Sequence, residues 1–257
     1  MDSSALCTTL FSLTLPTMTK ITSLAVLATS LLGLSTAHPH HHIEERSTNQ
    51  FPIGDSKLSI NGIPFSTRAH WMRQANLALN APCPFAAFGA VIVNHTASTG
   101  LGTVVCTGAN ANSATGNPTH HGEIVAINNC SAILTDPNGP YNLTASAALA
   151  AFADLTMYTN GESCPMCAAA IRWAGFREYV YGTSIATLIE KGWGQIRIGS
   201  DEVVAQSYDL GKPVRLLGEV LAEETDPLFA WQFDPAAPCP EGCGRVGGTG
   251  GCKAGGE

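Results

Sequence analysis

Charge is scarce in this 257-residue chain, with only 13% Asp, Glu, Lys and Arg together. No lysine- or arginine-rich run occurs. Acids outnumber bases 20 to 13, for a formal charge of -7. That balance excludes a protein whose main work is gripping nucleic-acid phosphates. No apolar run reaches the about 20 residues a membrane span needs, and there is no internal repeat. Nine cysteines are too few for a pure disulfide scaffold and too many to ignore. Hydrophobic residues make up 45%, enough for a sizeable core, so wholesale disorder is excluded as well.

The N-terminus reads as a secretory leader over residues 1–37. Lys20 precedes an apolar stretch at residues 21–34, and Ser35-Thr36-Ala37 follows as a small-residue cleavage pattern. Met18-Thr19-Lys20 makes a better start than Met1, because residues 1–17 carry no positive charge. The expectation is a secreted protein, free of the membrane once the leader is cut. Asn94-His95-Thr96, Asn129-Cys130-Ser131 and Asn142-Leu143-Thr144 are glycosylation triplets that agree with export. Asn94 directly follows an apolar run and is the candidate for burial. His38, His40, His41 and His42 lie in a linker over residues 38–56. They read as a solvated segment rather than a copper or zinc site.

Residues 57–235 have the size of one domain. Residues 236–257 contain eight glycines and three cysteines and read as a flexible or disulfide-pinned tail. Within the domain, residues 66–80 suggest a helix capped by Ser66 or Thr67, with Trp71, Ala75, Ala78 and Leu79 on one side. Residues 88–93 and 102–109 read as strands and 110–119 as a loop. Residues 121–134 suggest a helix with apolar Ile124, Val125, Ile127 and Ile133. A turn over 136–140 leads to a helix at 143–152, then a strand at 155–159. A helix at 165–174 begins with proline, where a missing N–H costs little. A strand at 178–182 and a short helix at 185–191 complete a layered α/β pattern.

Two clusters carry the chemistry. Pro118-Thr119-His120-His121-Gly122-Glu123 and Glu162-Ser163-Cys164-Pro165-Met166-Cys167 both lie at predicted helix N-termini. There the helix dipole and free N–H groups favour thiolates. Cys164 and Cys167 are three apart, so their sulfurs can converge. With His121 they form a Cys2His set for Zn2+ with a fourth position open, the mark of a catalytic site. Glu123, two residues past His121, can reach water activated by the metal without being a ligand, and serve as the proton carrier.

This H-x-E and C-x-x-C pair resembles the zinc-dependent cytidine/deoxycytidylate deaminase superfamily. The likeness is greatest to its guanine deaminase and tRNA adenosine deaminase branch, over about residues 66–195. Gly89 to Val93, Thr107-Gly108-Ala109-Asn110, residues 118–127 and residues 155–171 carry it. The resemblance implies a three-layer α/β/α fold around a mixed five-stranded sheet, often in a homodimer. It implies His121, Cys164 and Cys167 as zinc ligands, Glu123 as proton shuttle and Asn110 as a base contact, with Asn112 a near alternative. Two departures stand out. Ser163 replaces the proline the family usually has before the first cysteine, which leaves the loop less fixed. His120 replaces a small residue, and is expected to be a polar loop residue rather than a ligand.

Trp173, Trp193, Phe229 and Trp231 could each stack on a planar base, and each is more often core packing. Cys83, Cys106, Cys130, Cys239, Cys243 and Cys252 allow three disulfides in fifteen connectivities. The expected activity is hydrolytic deamination of a small nucleobase-like molecule of guanine, adenine or cytosine type. A tRNA partner fits poorly with the acidic balance. The competing readings are a zinc-stabilised binding protein on the same fold and a thiol–disulfide oxidoreductase using Cys164 and Cys167.

Overall fold

The structure is a computed structural model that describes residues 58–79, 81–96, 100–247 and 250–255. The expected leader and start at Met18, Cys7 and the histidine cluster lie outside the described residues. Five strands form one sheet: β1 (Gly89–Asn94), β2 (Thr103–Ala109), β3 (Leu155–Gly161), β4 (Glu178–Thr183) and β5 (Arg215–Leu217), in the order β2-β1-β3-β4-β5. β1 runs antiparallel to both β2 and β3, while β3, β4 and β5 run parallel, so the sheet is mixed.

The strand residues explain the layers. β1, β3 and β4 are interior strands, buried on both faces; β1 is a near-continuous apolar run, while β3 and β4 also bury polar residues such as Thr156, Asn160 and Glu178. Side chains alternate between the two faces. Val91, Val93, Tyr158 and Val180 pack with Trp71, Met72 and Ala75 of α1 (Phe65–Leu77). Ala90, Ile92, Met157, Tyr179 and Tyr181 face the other way, with Ala126, Cys130 and Leu134 of α3 (Gly122–Thr135) and Ile171 of α5 (Pro165–Ala174). Helices therefore cover both faces, as expected of a three-layer α/β/α fold.

Several details differ from the sequence expectation. α1 begins at Phe65 with Pro64 as its cap residue, and neither Ser66 nor Thr67 caps it. The buried stripe of α3 is Glu123, Ala126, Cys130 and Leu134, whereas Ile133 is exposed. The reason is close approach: a Cβ at Gly108 of β2 would fall on the Gly122 carbonyl and the Ala126 amide. Small side chains on α3 therefore face the sheet, and Cys106–Cys130 joins the two elements covalently. The loop after β2 contains a helical turn, α2 (Asn112–Thr115). The helix expected at 143–152 is α4 (Ala145–Ala151) followed by a 3-10 turn. α6 (Ile185–Glu190) falls in the segment expected to be helical. Sequence reasoning passed over α7 (Ser200–Gln206), β5 and α8 (Ala222–Thr225).

The tail is more ordered than its glycine content suggests. β6 (Cys243–Arg245) and β7 (Cys252–Ala254) pair antiparallel. Cys239–Cys252 closes this hairpin and Cys83–Cys243 joins it to the loop before β1. Asn129 and Asn142 are exposed, and Asn94 is half-buried at the end of β1, its Oδ1 accepting from the Thr96 N–H and hydroxyl.

Candidate metal centre and active site

The sheet register brings the two chemical clusters together. Gly89 opposes Ala109, and Ala90 opposes Thr159. The segment before β1, the loop after β2 and the loop after β3 therefore meet at one end of the sheet. Asn160 locks this junction: its Oδ1 accepts from Gly89 N–H at 2.9 Å and its Nδ2 donates to Ala87 O at 2.8 Å. Asn110 N–H donates to Phe88 O at 2.9 Å. Gly122 is required here, because a Cβ would lie 2.8 Å from Phe88 O.

His121 and Cys164 are the cap residues of α3 and α5, both with extended backbone. Cys167 is one turn into α5 and buried. Tetrahedral zinc, with bonds of about 2.05 Å to nitrogen and about 2.3 Å to sulfur, separates N and S by about 3.6 Å. Nδ1 of His121 lies 3.6 Å from Cys164 Sγ and 3.7 Å from Cys167 Sγ. All three candidate ligand atoms fall within 4.8 Å of one another. The set fits a zinc ion and leaves the fourth corner to the cavity. His120 is not in it; its Nδ1 pairs with Thr115 Oγ1 at 3.1 Å. Cys164 and Cys167 are free thiols, while the other six described cysteines form the three disulfides.

The protons of this cluster are already unevenly shared. A hydrogen bond from Cys167 and another from His121 hold the Cys164 thiol down to about 4, against the opposing effect of burial. The Cys167 thiol is pushed up by that same bond and by burial. The hydrogen bond to Cys164 raises His121. Glu123, only 7% exposed, has its carboxyl raised by burial, with its own backbone N–H and the Ser163 side chain opposing. A carboxyl poised in this way can both take and return a proton.

Ser163 does not loosen the loop as its replacement of proline suggested. Its N–H donates to Tyr179 Oη at 2.6 Å, a bond proline cannot make, and Thr159 Oγ1 donates to the same oxygen at 3.3 Å. Glu162 is a residue that sequence reasoning quoted but gave no role. Its Oε2 accepts from Ile185 N–H at 2.8 Å, and its Oε1 accepts from Ser200 N–H and Oγ at 2.7 and 2.6 Å. It thereby ties the first turns of α6 and α7 to the ligand loop. The available signal was an acid at the end of a buried strand, which has to find buried donors.

A cavity of about 330 Å³ opens beside this cluster. Asn110, Asn112, His121, Glu123 and Cys164 line it, together with Phe85, Phe88, Trp193 and Gln195. Asn110 Oδ1 accepts from Asn112 N–H at 3.2 Å, which orients its amide. Of the four aromatics considered from sequence, Phe229 and Trp231 are buried, Trp173 is 76% exposed on the surface, and Trp193 alone lines the cavity.

Residues 66–183 match the model of the cytidine and deoxycytidylate deaminase zinc-binding region. Over those residues the chain is similar to that zinc-binding region. A guanine deaminase from Bacillus subtilis (strain 168) is 28% identical over 148 residues, which are 56% of this chain and 79% of that protein. A guanine deaminase structure from Nitrosomonas europaea gives a TM-score of 0.45 at 16% identity, covering 63% of this chain and 81% of that one. A tRNA:A34 deaminase structure gives 0.44 at 22% identity, covering 63% of this chain and 99% of that one.

Proposed function

We propose that this protein is a secreted zinc-dependent deaminase of a free nucleobase, with guanine first among the candidates. The observation that carries the reading is the buried Glu123 carboxyl, which lines one cavity with His121 and Cys164 of the candidate metal cluster and with the rings of Phe85, Phe88 and Trp193. The cavity volume sits at the small end of ligand pockets, which run to about 300–1,000 Å³. That size suits a flat ring better than a macromolecule, and the net charge of -7 disfavours a polyphosphate partner. The guanine deaminase relative supports the choice of base.

Zinc, when held by the three ligands, supplies the Lewis acidity that makes water a nucleophile near neutral pH. With the metal held there, Glu123 would carry two protons in turn: the first, from water, to the ring nitrogen, and the second, from the hydroxyl added to the ring carbon, to the departing amine. Hydrolysis replaces the exocyclic amine by a carbonyl oxygen and releases ammonia. Asn110 hydrogen-bonds an edge of the base, and Phe88 and Trp193 offer faces for stacking. Export is supported by the leader-like residues 21–34 and by three disulfides, which persist in oxidising compartments.

The test is ammonia release from guanine, adenine, cytosine and their nucleosides, with a Glu123→Ala control. Release from a free base that disappears in the control is the expected result. Silence on every compound with one zinc per chain would transfer the fold to a binding role. N-terminal sequencing of material from the culture medium checks the leader; a start within residues 1–17 would refute it.

A further inference from the structure

The sheet holds the candidate metal ligands and also Phe88, whose carbonyl accepts from Asn110 N–H, whereas Phe85 and Trp193 rest on another part of the chain. Phe85 lies in an irregular segment between Pro84 and the start of β1 and is 55% exposed. Its side-chain hydrogen-bond partner and two of its three ring contacts come from the C-terminal segment. Gln232 Nε2 donates to Phe85 O at 2.9 Å. The Phe85 ring meets Trp231 edge-on at 6.1 Å and Phe233 edge-on at 5.8 Å. Two residues before Phe85, Cys83 is bonded to Cys243.

Trp193 rests on the same segment. Its Nε1 donates to Phe229 O at 2.8 Å, and its ring meets Phe233 edge-on at 5.2 Å. Phe85 and Trp193 then touch each other at 5.6 Å. The segment is itself closed from outside. Arg245 of β6 donates to the carbonyls of Asp234 and Gly250 at 3.2 and 3.0 Å, and to that of Ala237. Cys239–Cys252 fastens the hairpin. Among the described residues, none of this tail pairs with the five-stranded sheet.

We propose that the C-terminal segment is a positioning brace: through the Cys83–Cys243 bond and Gln232 it holds Phe85 against Trp193, and so sets how tightly a planar base is bound, without entering the proton chemistry. This rests on reading the cavity as the base site. The brace acts on ground-state binding, so its signature is a change in KM with kcat preserved.

The experiment compares Cys83→Ser/Cys243→Ser with Cys106→Ala/Cys130→Ala, a second disulfide away from the cavity. The first pair of substitutions is expected to raise KM for guanine about tenfold, the scale of losing one stacking face, with kcat within about twofold and zinc content unchanged. Equilibrium dialysis of labelled guanine in a Glu123→Ala background should show the same loss of affinity. The second pair should lower the melting temperature without moving KM. Phe85→Ala and Gln232→Leu leave every disulfide intact and should reproduce the KM rise if the double serine variant fails to fold. An unchanged KM, or an equal rise in both disulfide variants, would overturn the brace. If the intact protein binds no base, near-UV circular dichroism of the aromatic cluster decides. Loss of signal only in Cys83→Ser/Cys243→Ser upholds the brace while the base-site reading falls; an unchanged signal overturns it.

Discussion

The two walls of the cavity have different origins. The metal cradle comes from two short helix starts, residues 121–123 and 164–167, set side by side by adjoining strands of one sheet. The aromatic wall comes from residues 85, 88 and 193, and two of those three are braced by a tail outside the sheet. Chemistry here is compact in sequence, and recognition is dispersed. A cradle of this kind tolerates little change, because each ligand has one geometry, whereas a wall built from rings resting on rings can be altered piece by piece.

The largest effect should come from the cradle. Cys167→Ser removes a buried sulfur ligand; zinc measured by mass spectrometry should fall well below one per chain, and activity with it. Zinc retained at full occupancy would break the assignment. Glu123→Gln should keep the metal and cut kcat by about 10²–10⁴, the usual weight of a positioned acid–base group; steady-state ammonia release checks it.

Arg68→Met probes the far end of the same sheet. Arg68 Nη1 lies 3.1 Å from Glu178 Oε2, both side chains are fully buried, and Asn61 donates to Glu178 at 2.6 Å. Removing the cation strands a buried carboxylate and should cost about 3–5 kcal/mol in urea unfolding, yet leave zinc content and KM as they were. A change in KM would show that the cradle is not independent of that end. Asn110→Ala should raise KM about tenfold by deleting one hydrogen bond to the base, read from initial rates.

The smallest effect concerns pH. Burial, with help from Arg68 and Arg177, holds His95 below its ordinary value, while Glu178 and the Leu101 backbone oppose. The unfolded chain then takes up this proton near pH 6.5 and the folded one only at lower pH. Stability is therefore fully present above about pH 6.5 and falls as pH drops toward the folded value. Thermal melts should show a shallower acid slope in His95→Gln, and an identical slope would remove this histidine from the account.

Four of the five strands were legible, β1 most plainly as a continuous apolar run, and the helix at 165–174 because it begins with proline. β5 escaped because three residues carry no period, and it exists only by pairing with β4. The disulfides escaped for a similar reason: Cys83 and Cys243 are 160 residues apart, and only the folded chain brings their Cα atoms to 6.4 Å.

The sequence by itself singled out His121, Cys164, Cys167 and Glu123 and the α/β order of elements, because a helix start with fixed residue spacing is a local object. Tertiary structure alone decided that Trp193 rather than Trp173 or Trp231 faces the cavity, that Glu162 pins α6 and α7, and that the tail braces the wall. Those assignments depend on which distant segments exclude water together, and burial is a property of the packed chain rather than of any residue in it.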